Sequence, residues 1–466
     1  MPPRHQGYTL GEDADGGHVP NCATDTDICP NRARFALIVS TNARLHPRSK
    51  STSSRLRGCN LAFKRTIACM TRTAAAGNHA PTVALPAMTP ARGRPFGIYI
   101  HVPFCATRCG YCDFNTYTPG ELGGTSPDGW LAALRAELAR AVRHLGRVPE
   151  VNTVFVGGGT PSLLGAAGLT AVLDAVRAHF PLVSGAEVTT EANPESTSPS
   201  LFDRLLEAGY TRVSLGMQSA APHVLETLDR THSPGRALAA ARESRAAGFE
   251  HVNLDLIYGT PGESDEDLLR SVDMVVEAGV DHVSAYALVV EDGTAMARRV
   301  RRGELVPPDD DVLAHRYELL DARLAGAGFD WYEVSNWSKP GGECLHNIGY
   351  WNGGHWWGAG PGAHGFVEAV RWWNVKHPQP YAQTLAEGRL PVADYERLDA
   401  DTMHTEDVML RVRLRAGLPT SALGERELRR ADTAVADGLL TRAADRLVLT
   451  DRGRLLADAV VRTLLD

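Results

Sequence analysis

The residues with the clearest chemical potential are three cysteines on one short segment, Cys105, Cys109 and Cys112, spaced as C-x3-C-x2-C. A structural zinc site needs four ligands, usually supplied as two C-x-x-C pairs, and no second pair follows nearby. A disulfide would leave one thiol over and belongs to a different redox compartment. Thiolates also hold iron–sulfur clusters, and three of them would leave one iron of a four-iron cluster open to a ligand. The spacing alone is compatible with a chance grouping, with zinc and with such a cluster.

The cysteines lie at the start of a long region in which strand-like and helix-like segments alternate. Short runs rich in β-branched residues predict strands over residues 97–102, 151–156, 186–191, 211–217, 251–256 and 281–287. Amphipathic stretches predict helices over residues 127–145, 166–180, 198–208, 235–247, 265–278 and 309–327. Six such units imply a parallel sheet with right-handed crossovers and are too few for a closed eight-unit barrel. We therefore expect an α/β fold, a partial (β/α)6 barrel, with its chemistry at the carboxyl ends of the strands.

Capping residues mark the ends of these predicted helices. Serine and aspartate are good N-caps, whereas glycine is favoured just after a helix because it tolerates the left-handed conformation. The predicted N-caps are Ser126, Ser198, Ser264 and Asp309, and the predicted C-terminal glycines are Gly146, Gly209, Gly248, Gly279 and Gly328.

Glycine or polar residues follow most of the predicted strands. The segment 157–161, Gly-Gly-Gly-Thr-Pro, follows the second strand, and Glu191 ends the third. Gln218 follows the fourth strand, with Arg230 beyond it, and Asp255 ends the fifth. Glycines allow the close approach of a ligand, a carboxylate suits ribose hydroxyls, and an arginine suits a ligand carboxylate. Packing alone does not explain this pattern at successive strand ends, so we expect a ligand site there.

The cysteine spacing, with an aromatic residue before the third cysteine, resembles the signature of the radical S-adenosylmethionine (SAM) superfamily. The resemblance implies that Cys105, Cys109 and Cys112 bind a [4Fe-4S] cluster whose fourth iron is chelated by SAM. An electron from the cluster would then cleave SAM to a 5′-deoxyadenosyl radical. The SAM-binding residues that the resemblance implies are Tyr99, Tyr111, Gly158, Gly159, Thr160, Glu191, Gln218, Arg230 and Asp255.

Further motifs narrow the resemblance to the group of oxygen-independent coproporphyrinogen III oxidases and HemW-type heme chaperones. They are Tyr99-Ile-His101-Val-Pro-Phe-Cys105, Gly-Gly-Gly-Thr-Pro, Ser214-Leu-Gly-Met-Gln218 and Asp255-Leu-Ile-Tyr-Gly. The oxidase pattern has another cysteine two residues after the third, where this chain has Phe114. The HemW-type pattern has Cys-Asp-Phe, as here. The resemblance thus favours a heme chaperone, with radical decarboxylation of the propionates of coproporphyrinogen III as the alternative.

A second feature points to heme. The segment from His346 to Trp351 resembles the HNxxYW motif that HemW-type proteins are thought to use for heme, which implies His346, Asn347, Tyr350 and Trp351 as heme-binding residues. A neutral imidazole is a good axial ligand for heme iron, and aromatic rings offer flat surfaces to a porphyrin. The competing interpretation is that His346 hydrogen-bonds its surroundings. The loop with Gly-Pro-Gly-Ala-His364-Gly is expected to be architectural, and Tyr99 and His101 to line the floor of the active site.

Four regions are expected along the chain. Residues 1–93 lack periodicity, which predicts a disordered extension or a start codon assigned too early, with Met88 as the true start. Residues 94–328 form the radical SAM core, and 329–400 form an irregular segment rich in Trp, Gly and His. Residues 401–466 predict a winged-helix-like α+β domain with helices over 406–414, 425–436 and 451–465 and a hairpin over 439–450.

Composition restricts the functional classes. The chain has 466 residues, 43% of them hydrophobic, and a formal net charge of −7, which argues against a surface built to coat nucleic acid. A nucleic-acid-binding radical enzyme is therefore the weaker third hypothesis. No run of apolar residues is long enough for a membrane span. We expect a cytoplasmic protein whose partners are heme or a porphyrin and an apo-hemoprotein such as a cytochrome, reached at a membrane surface.

Overall fold

The structure is a computed structural model that describes residues 82–231 and 233–466. Most of the predicted extension, residues 1–81, lies outside the described residues. The remainder of it, residues 82–93, contradicts the expectation of disorder, because Leu85 and Met88 are buried in the main core. The amide of Val83 also donates to the carbonyl of Val392 at 3.0 Å. These residues therefore belong to the folded body.

Six parallel strands form the centre of one twelve-stranded sheet, in the order β12-β11-β10-β9-β1-β2-β3-β4-β5-β6-β8-β7. Each central strand overlaps its predicted range, and no end differs from the predicted one by more than four residues. They are β1 (Phe96–Val102), β2 (Val151–Gly158), β3 (Leu182–Ala192), β4 (Arg212–Gln218), β5 (His251–Tyr258) and β6 (His282–Ala287). The predicted partial barrel is confirmed.

Helices connect these strands and cover the outer face of the sheet. They are α1 (Pro127–His144), α2 (Gly165–Arg177), α3 (Pro199–Ala208), α4 (Pro222–Thr227), α5 (Arg236–Ala247), α6 (Asp265–Ala278), α7 (Ala295–Arg301) and α8 (Asp310–Gly326). The predicted serine N-caps and Asp309 all accept a backbone N–H at the start of their helices. One predicted C-terminal glycine is wrong: α1 ends in extended backbone at Leu145, and the Gly146 amide instead donates to Met88.

The two faces of the central strands differ in chemistry. The outward side chains, such as Ile98, Val154 and Leu254, are fully buried against the helices. The inward side chains are mostly polar or aromatic, as in Tyr99 and Asp255. Because side chains alternate along a strand, each strand carries one apolar and one polar series. We call the inward series the inner wall.

The segment expected to be irregular extends the sheet at both edges, which corrects that prediction. On one side β8 (Asn336–Ser338) pairs antiparallel with β6, and β7 (Asp330–Glu333) pairs with β8. On the other side β9 pairs parallel with β1. The other elements are α9 (Leu345–Trp351), β9 (His355–Ala359), β10 (His364–Val367), β11 (Val370–Asn374), α10 (Pro378–Ala386) and β12 (Val392–Arg397). These strands are only three to six residues long, and a glycine interrupts β9 and β10, so no alternating pattern reveals them.

The C-terminal part has the helix, helix and hairpin order that was predicted, with two differences. Its elements are α11 (Ala400–Arg411), β13 (Leu418–Pro419), α12 (Glu425–Ala436), β14 (Leu440–Ala443), β15 (Arg446–Leu449), α13 (Asp451–Leu455) and α14 (Ala457–Leu465). The first helix starts six residues before its predicted start because Asp399 caps it. The last predicted helix is broken at Leu456, where φ is −116° and ψ is 23°. No described helix has the length and apolar character needed to cross a membrane.

Candidate functional site

The three cysteines lie on the loop that follows β1, at the carboxyl edge of the sheet. The loop is fixed by backbone hydrogen bonds: the Cys105 amide donates to Tyr117 (3.1 Å), and Gly110 both donates to Leu228 (3.2 Å) and accepts from Met296 (2.8 Å). All three thiols are free and partly exposed. Burial, with the other two cysteines adding to it, raises the pKa of Cys112 to about 12, so the three sulfur atoms act on one another electrostatically.

The three thiols and the donors beside them are compatible with an iron–sulfur cluster. Among the described residues, no three His, Cys, Asp or Glu side chains converge on a single ion. In a four-iron cluster each thiolate binds a different iron, so the sulfur atoms need not converge. Two donors stabilise thiolates here: the Arg230 guanidinium lies 3.4 Å from the Cys109 sulfur, and the Thr160 hydroxyl lies 3.7 Å from that of Cys105.

The glycine segment after β2 packs directly against the cysteine loop. Gly158 has φ of +116°, and a Cβ on it would lie 2.7 Å from His101 Cε1. A Cβ on Gly159 would lie 2.5 Å from the Phe104 carbonyl oxygen and 3.0 Å from the Cys105 sulfur. These glycines are therefore required by contacts within the protein, which is a reason independent of any ligand.

Two carboxylates face each other across the inner wall at the same edge. Glu191 accepts the Gly158 amide at 2.9 Å. Burial, with Asp255 as a second cause, raises the pKa of Glu191 to about 8. Asp255 accepts from Asn253 at 2.7 Å and from the Ser214 hydroxyl, and burial raises its pKa as well. Such a pair can accept hydroxyl or amino donors of a polar ligand.

Arg230 joins the end of β4 to the cysteine loop. One terminal nitrogen donates to the Gly216 carbonyl at 2.9 Å, and the other contacts Cys109. Its Nε is buried and has no partner in the described part of the chain. A Cβ on Gly216 would lie 3.0 Å from the side-chain nitrogen Nε2 of Gln218. The backbone of Gln218 has a positive φ, +67°. An unpaired buried donor beside the cluster loop suits the carboxylate of a ligand such as SAM.

The two predicted SAM-binding tyrosines take different positions. The Tyr99 hydroxyl lies 3.0 Å from His101 Nδ1, and His101 Nε2 lies 2.9 Å from the Asn115 carbonyl. His101 therefore carries its proton on Nε2 and accepts from Tyr99. Tyr111 lies within electrostatic range of Arg230, Cys109 and Cys112, and burial raises its pKa.

The helix α9, which carries the HNxxYW motif, is seated against the inner wall at the opposite end of the strands. The Glu187 carboxylate accepts the amides of Leu345 (3.0 Å) and His346 (2.9 Å). Arg212 pairs with Glu187 at 3.1 Å and donates to the carbonyl groups of Gly342 and Glu343. A buried ion pair on β3 and β4 therefore holds the start of this helix.

His346 is fully enclosed in this position. Its Nδ1 lies 2.8 Å from the Thr153 hydroxyl, its Nε2 lies 2.8 Å from the Tyr350 hydroxyl, and its side chain belongs to a residue only 3% exposed. Burial lowers the pKa of the imidazole to about 3, so the ring is neutral. In this structure the hydrogen-bonding interpretation of His346 is the one observed.

A continuous series of aromatic rings runs from α9 to Tyr99, one of the residues expected to bind SAM. The centroid distances are 6.3 Å from Tyr99 to Phe155, 5.3 Å from Phe155 to His346, and 4.8 Å from His346 to Tyr350. Tyr350 is within electrostatic range of Glu191 and of Tyr99. We call the region of the inner wall between α9 and the cysteine loop the chamber. Trp351, by contrast, is buried and hydrogen-bonds to the Glu333 carboxylate.

Several inner-wall residues were missed by the sequence reasoning, namely Thr153, Phe155, Glu187, Arg212, Asn253, His282 and Tyr286. The signal was present as alternation: Arg212, Ser214 and Gly216 on β4, and His282, Ser284 and Tyr286 on β6.

Comparison with known proteins agrees with this architecture. A family model described as the radical SAM superfamily matches residues 99–275. The solved coproporphyrinogen III oxidase (HemN) of Escherichia coli, a radical SAM enzyme, superimposes with a TM-score of 0.69 at 22% identity, covering 80% of this chain and 90% of that one. The fold is therefore that of a radical SAM protein, a class that implies a [4Fe-4S] cluster and SAM.

Two relatives define the family within that class. A protein of Mycobacterium tuberculosis (strain H37Rv) named heme chaperone HemW is 70% identical over 383 residues, or 82% of this chain and 98% of the relative. The heme chaperone HemW of Escherichia coli (strain K12) is 36% identical over 385 residues, or 80% of this chain and 98% of the relative. The chain belongs to the HemW family of radical SAM proteins, which confirms the expected resemblance.

Proposed function

We propose that this protein is a heme chaperone that holds a [4Fe-4S] cluster on Cys105, Cys109 and Cys112 and binds SAM at the adjoining strand ends. In the proposal, heme is the cargo, bound at α9 and passed to an apo-hemoprotein such as a cytochrome. The observation that carries it is the position of the HNxxYW motif. Its Tyr350 lies in the same chamber as Tyr99 and Glu191, so the cargo and SAM would occupy neighbouring sites on the inner wall.

The residues around His346 define how it would hold heme. A metal-binding histidine usually donates its second ring N–H to an oxygen acceptor, which fixes its orientation. Thr153 is placed to accept from Nδ1, which leaves Nε2 to bind iron. Nε2 becomes available when the Tyr350 hydroxyl moves away, because the two atoms are now hydrogen-bonded. Because the ring is neutral, it needs no deprotonation before it binds iron. Binding would then require only that the hydrogen bond from Tyr350 be exchanged for a bond to the metal.

The SAM end of the chamber is built for recognition. When bound, the cluster and SAM supply one-electron chemistry at the open iron. Glu191 and Asp255 would accept hydrogen bonds from SAM, and the unpaired Nε of Arg230 would donate to its carboxylate. Tyr111, on the cluster loop, would cover the site from the side of Arg230.

The competing function is oxidative decarboxylation of coproporphyrinogen III. The oxidase pattern has a cysteine where this chain has Phe114, a side chain on a residue 61% exposed beside the cluster loop. The overall likeness to HemN is a likeness of fold. No contact of the described residues favours the oxidase, and 70% identity to a protein named heme chaperone favours the chaperone.

The test is an anaerobic hemin titration of the cluster-loaded protein followed by transfer to an apo-cytochrome. We expect His346→Ala to lose the axial-ligand spectrum and most of the affinity. The matched control is His355→Ala, since His355 is equally buried but contacts Arg94 and the Glu368 amide. Equal losses in both variants would contradict the assignment. Turnover of coproporphyrinogen III to protoporphyrinogen with SAM and a reductant would replace the chaperone by the oxidase.

A further inference from the structure

Four hydrogen bonds connect the Asp255 carboxylate with the HNxxYW helix through the inner wall. They run from Asn347 on α9 to Tyr332 on β7 (3.1 Å), from Tyr332 to His282 on β6 (2.8 Å), from His282 to Asn253 on β5 (2.7 Å), and from Asn253 to Asp255 (2.7 Å). Both ends are partly exposed, whereas the three middle residues are buried. The connection therefore joins the SAM end of the chamber to the cargo end.

The donors all point the same way. Asn253 Nδ2 donates to both Asp255 and Ser214, so Asn253 Oδ1 must be the acceptor that faces His282. His282 therefore carries its proton on Nδ1, and its free Nε2 accepts from the Tyr332 hydroxyl. The Tyr332 oxygen in turn accepts from Asn347 Nδ2. Hydrogen bonds aligned in this way polarise one another, so a change at one end alters the strength of the others.

A ligand at Asp255 changes the last acceptor of this series. A ligand hydroxyl that donates to Asp255 competes with Asn253 for the same carboxylate. The hydrogen bond from Asn253 to Asp255 then becomes weaker, and so do the bonds that precede it in the series. Asn347 is then held less firmly to Tyr332, although Glu333 still accepts from it at 3.1 Å. Before cargo binds, the Tyr350 side chain must move away from His346 Nε2. A less firmly held α9 leaves that side chain more room to move, which lowers the cost of cargo binding.

We propose that Tyr332 and His282 are positioning residues that couple the Asp255 subsite to α9, so that SAM binding strengthens heme binding. The proposal rests on the proposed function for the identity of the two ligands. Because the aligned hydrogen bonds polarise one another, breaking the series at Tyr332 should weaken the bond from Asn253 to Asp255 and so strengthen SAM binding by itself. That second consequence does not require heme.

The experiment compares Tyr332→Phe, which removes one hydroxyl and keeps the ring, with Tyr210→Phe as the control. The Tyr210 hydroxyl is buried and donates to the Leu169 carbonyl at 2.8 Å in the core. In wild-type cluster-loaded protein we expect saturating SAM to tighten hemin binding about fivefold or more. In Tyr332→Phe the hemin affinity should no longer depend on SAM, whereas Tyr210→Phe should behave as wild type. His282→Phe removes both ring nitrogens, interrupts the series at a second point and should repeat the result.

A measurement without hemin separates this inference from the function on which it rests. By calorimetry, Tyr332→Phe should bind SAM about two- to tenfold more tightly than wild type, as expected for one hydrogen bond. A SAM affinity equal to that of wild type, or an unchanged SAM effect on hemin, would overturn the coupling. If wild-type protein fails to bind hemin, the proposed function falls, and the coupling is then judged on the SAM affinities alone.

Discussion

The Tyr350 hydroxyl lies 2.8 Å from His346 Nε2, the nitrogen that heme iron would need. Tyr350 therefore competes with the cargo for the ligand. We predict that Tyr350→Phe, which keeps the ring and removes the hydroxyl, binds hemin about two- to tenfold more tightly, the value of one hydrogen bond of about 0.5–1.5 kcal/mol. Thr153→Val is the opposite control, since it removes the partner of Nδ1 and should weaken binding. Spectrophotometric titration of both variants checks this, and weaker binding by Tyr350→Phe would show that the hydroxyl contacts the cargo directly.

The second prediction concerns the cluster ligands. If these residues hold the cluster as proposed, each thiolate anchors a different iron, so alanine at Cys105, Cys109 or Cys112 should abolish the visible charge-transfer absorption of anaerobically reconstituted protein and lower its bound iron. Cys344→Ala is the matched control: that thiol is also free, but it is buried beside Glu187 at the other end of the strands. Its cluster content should equal that of wild type. Normal iron content in any of the first three variants would contradict the assignment.

The third prediction concerns pH and His346. Its folded pKa, about 3, lies below the ordinary value of 6.5 because the ring is buried. Below pH 6.5 the unfolded chain takes up a proton on this ring and the folded chain does not. The free energy of unfolding therefore falls by about 1.4 kcal/mol for each pH unit that the pH is lowered. We therefore expect the stability deficit of His346→Gln, measured by urea unfolding, to be smaller at pH 5.5 than at pH 7.5. A deficit that is constant between these values would indicate that the ring is accessible to protons.

The fourth prediction concerns the attachment of the C-terminal helices. Arg454 on α13 makes two 2.7 Å hydrogen bonds to Asp321 on α8, and its guanidinium lies 4.8 Å from the Trp331 ring. Removing one partner of a buried pair leaves an uncompensated charge, so Arg454→Ala should cost about 3 kcal/mol of unfolding free energy. Arg452→Ala, which alters an exposed arginine bonded to the Asp437 carbonyl, should cost less than about 0.5 kcal/mol. Denaturant unfolding measures both, and equal costs would mean that the pair contributes nothing.

The core elements could be predicted because their signals are local. The helix over 265–278 was predicted with both of its ends, since Ser264 and Asp267 form a capping box and Gly279 adopts the left-handed conformation that ends it. The strand pattern likewise follows from the apolar series that each central strand presents to the helices. In such segments the residues that determine an element lie within it.

Elsewhere the determining contacts are distant in sequence. The strand His355–Ala359 exists because it pairs with Phe96–Ile100, more than 250 residues earlier, and its own residues show no clear alternation. Similarly, the motif predicted a heme-binding role for His346, but the sequence could not show that Thr153 and Tyr350 occupy both ring nitrogens. The break at Leu456 also lacks a local signal, because neither glycine nor proline stands there.

The carboxylate that accepts the first amides of α9 belongs to a strand residue 158 positions earlier in the chain. A helix of seven residues is too short to be stable alone in water. The helix α9 therefore depends on its contacts with Glu187 and Arg212. During synthesis the chain thus acquires its proposed cargo helix after strands β3 and β4 have assembled. If α9 holds the cargo as proposed, a copy in which β3 and β4 have not paired lacks its heme site.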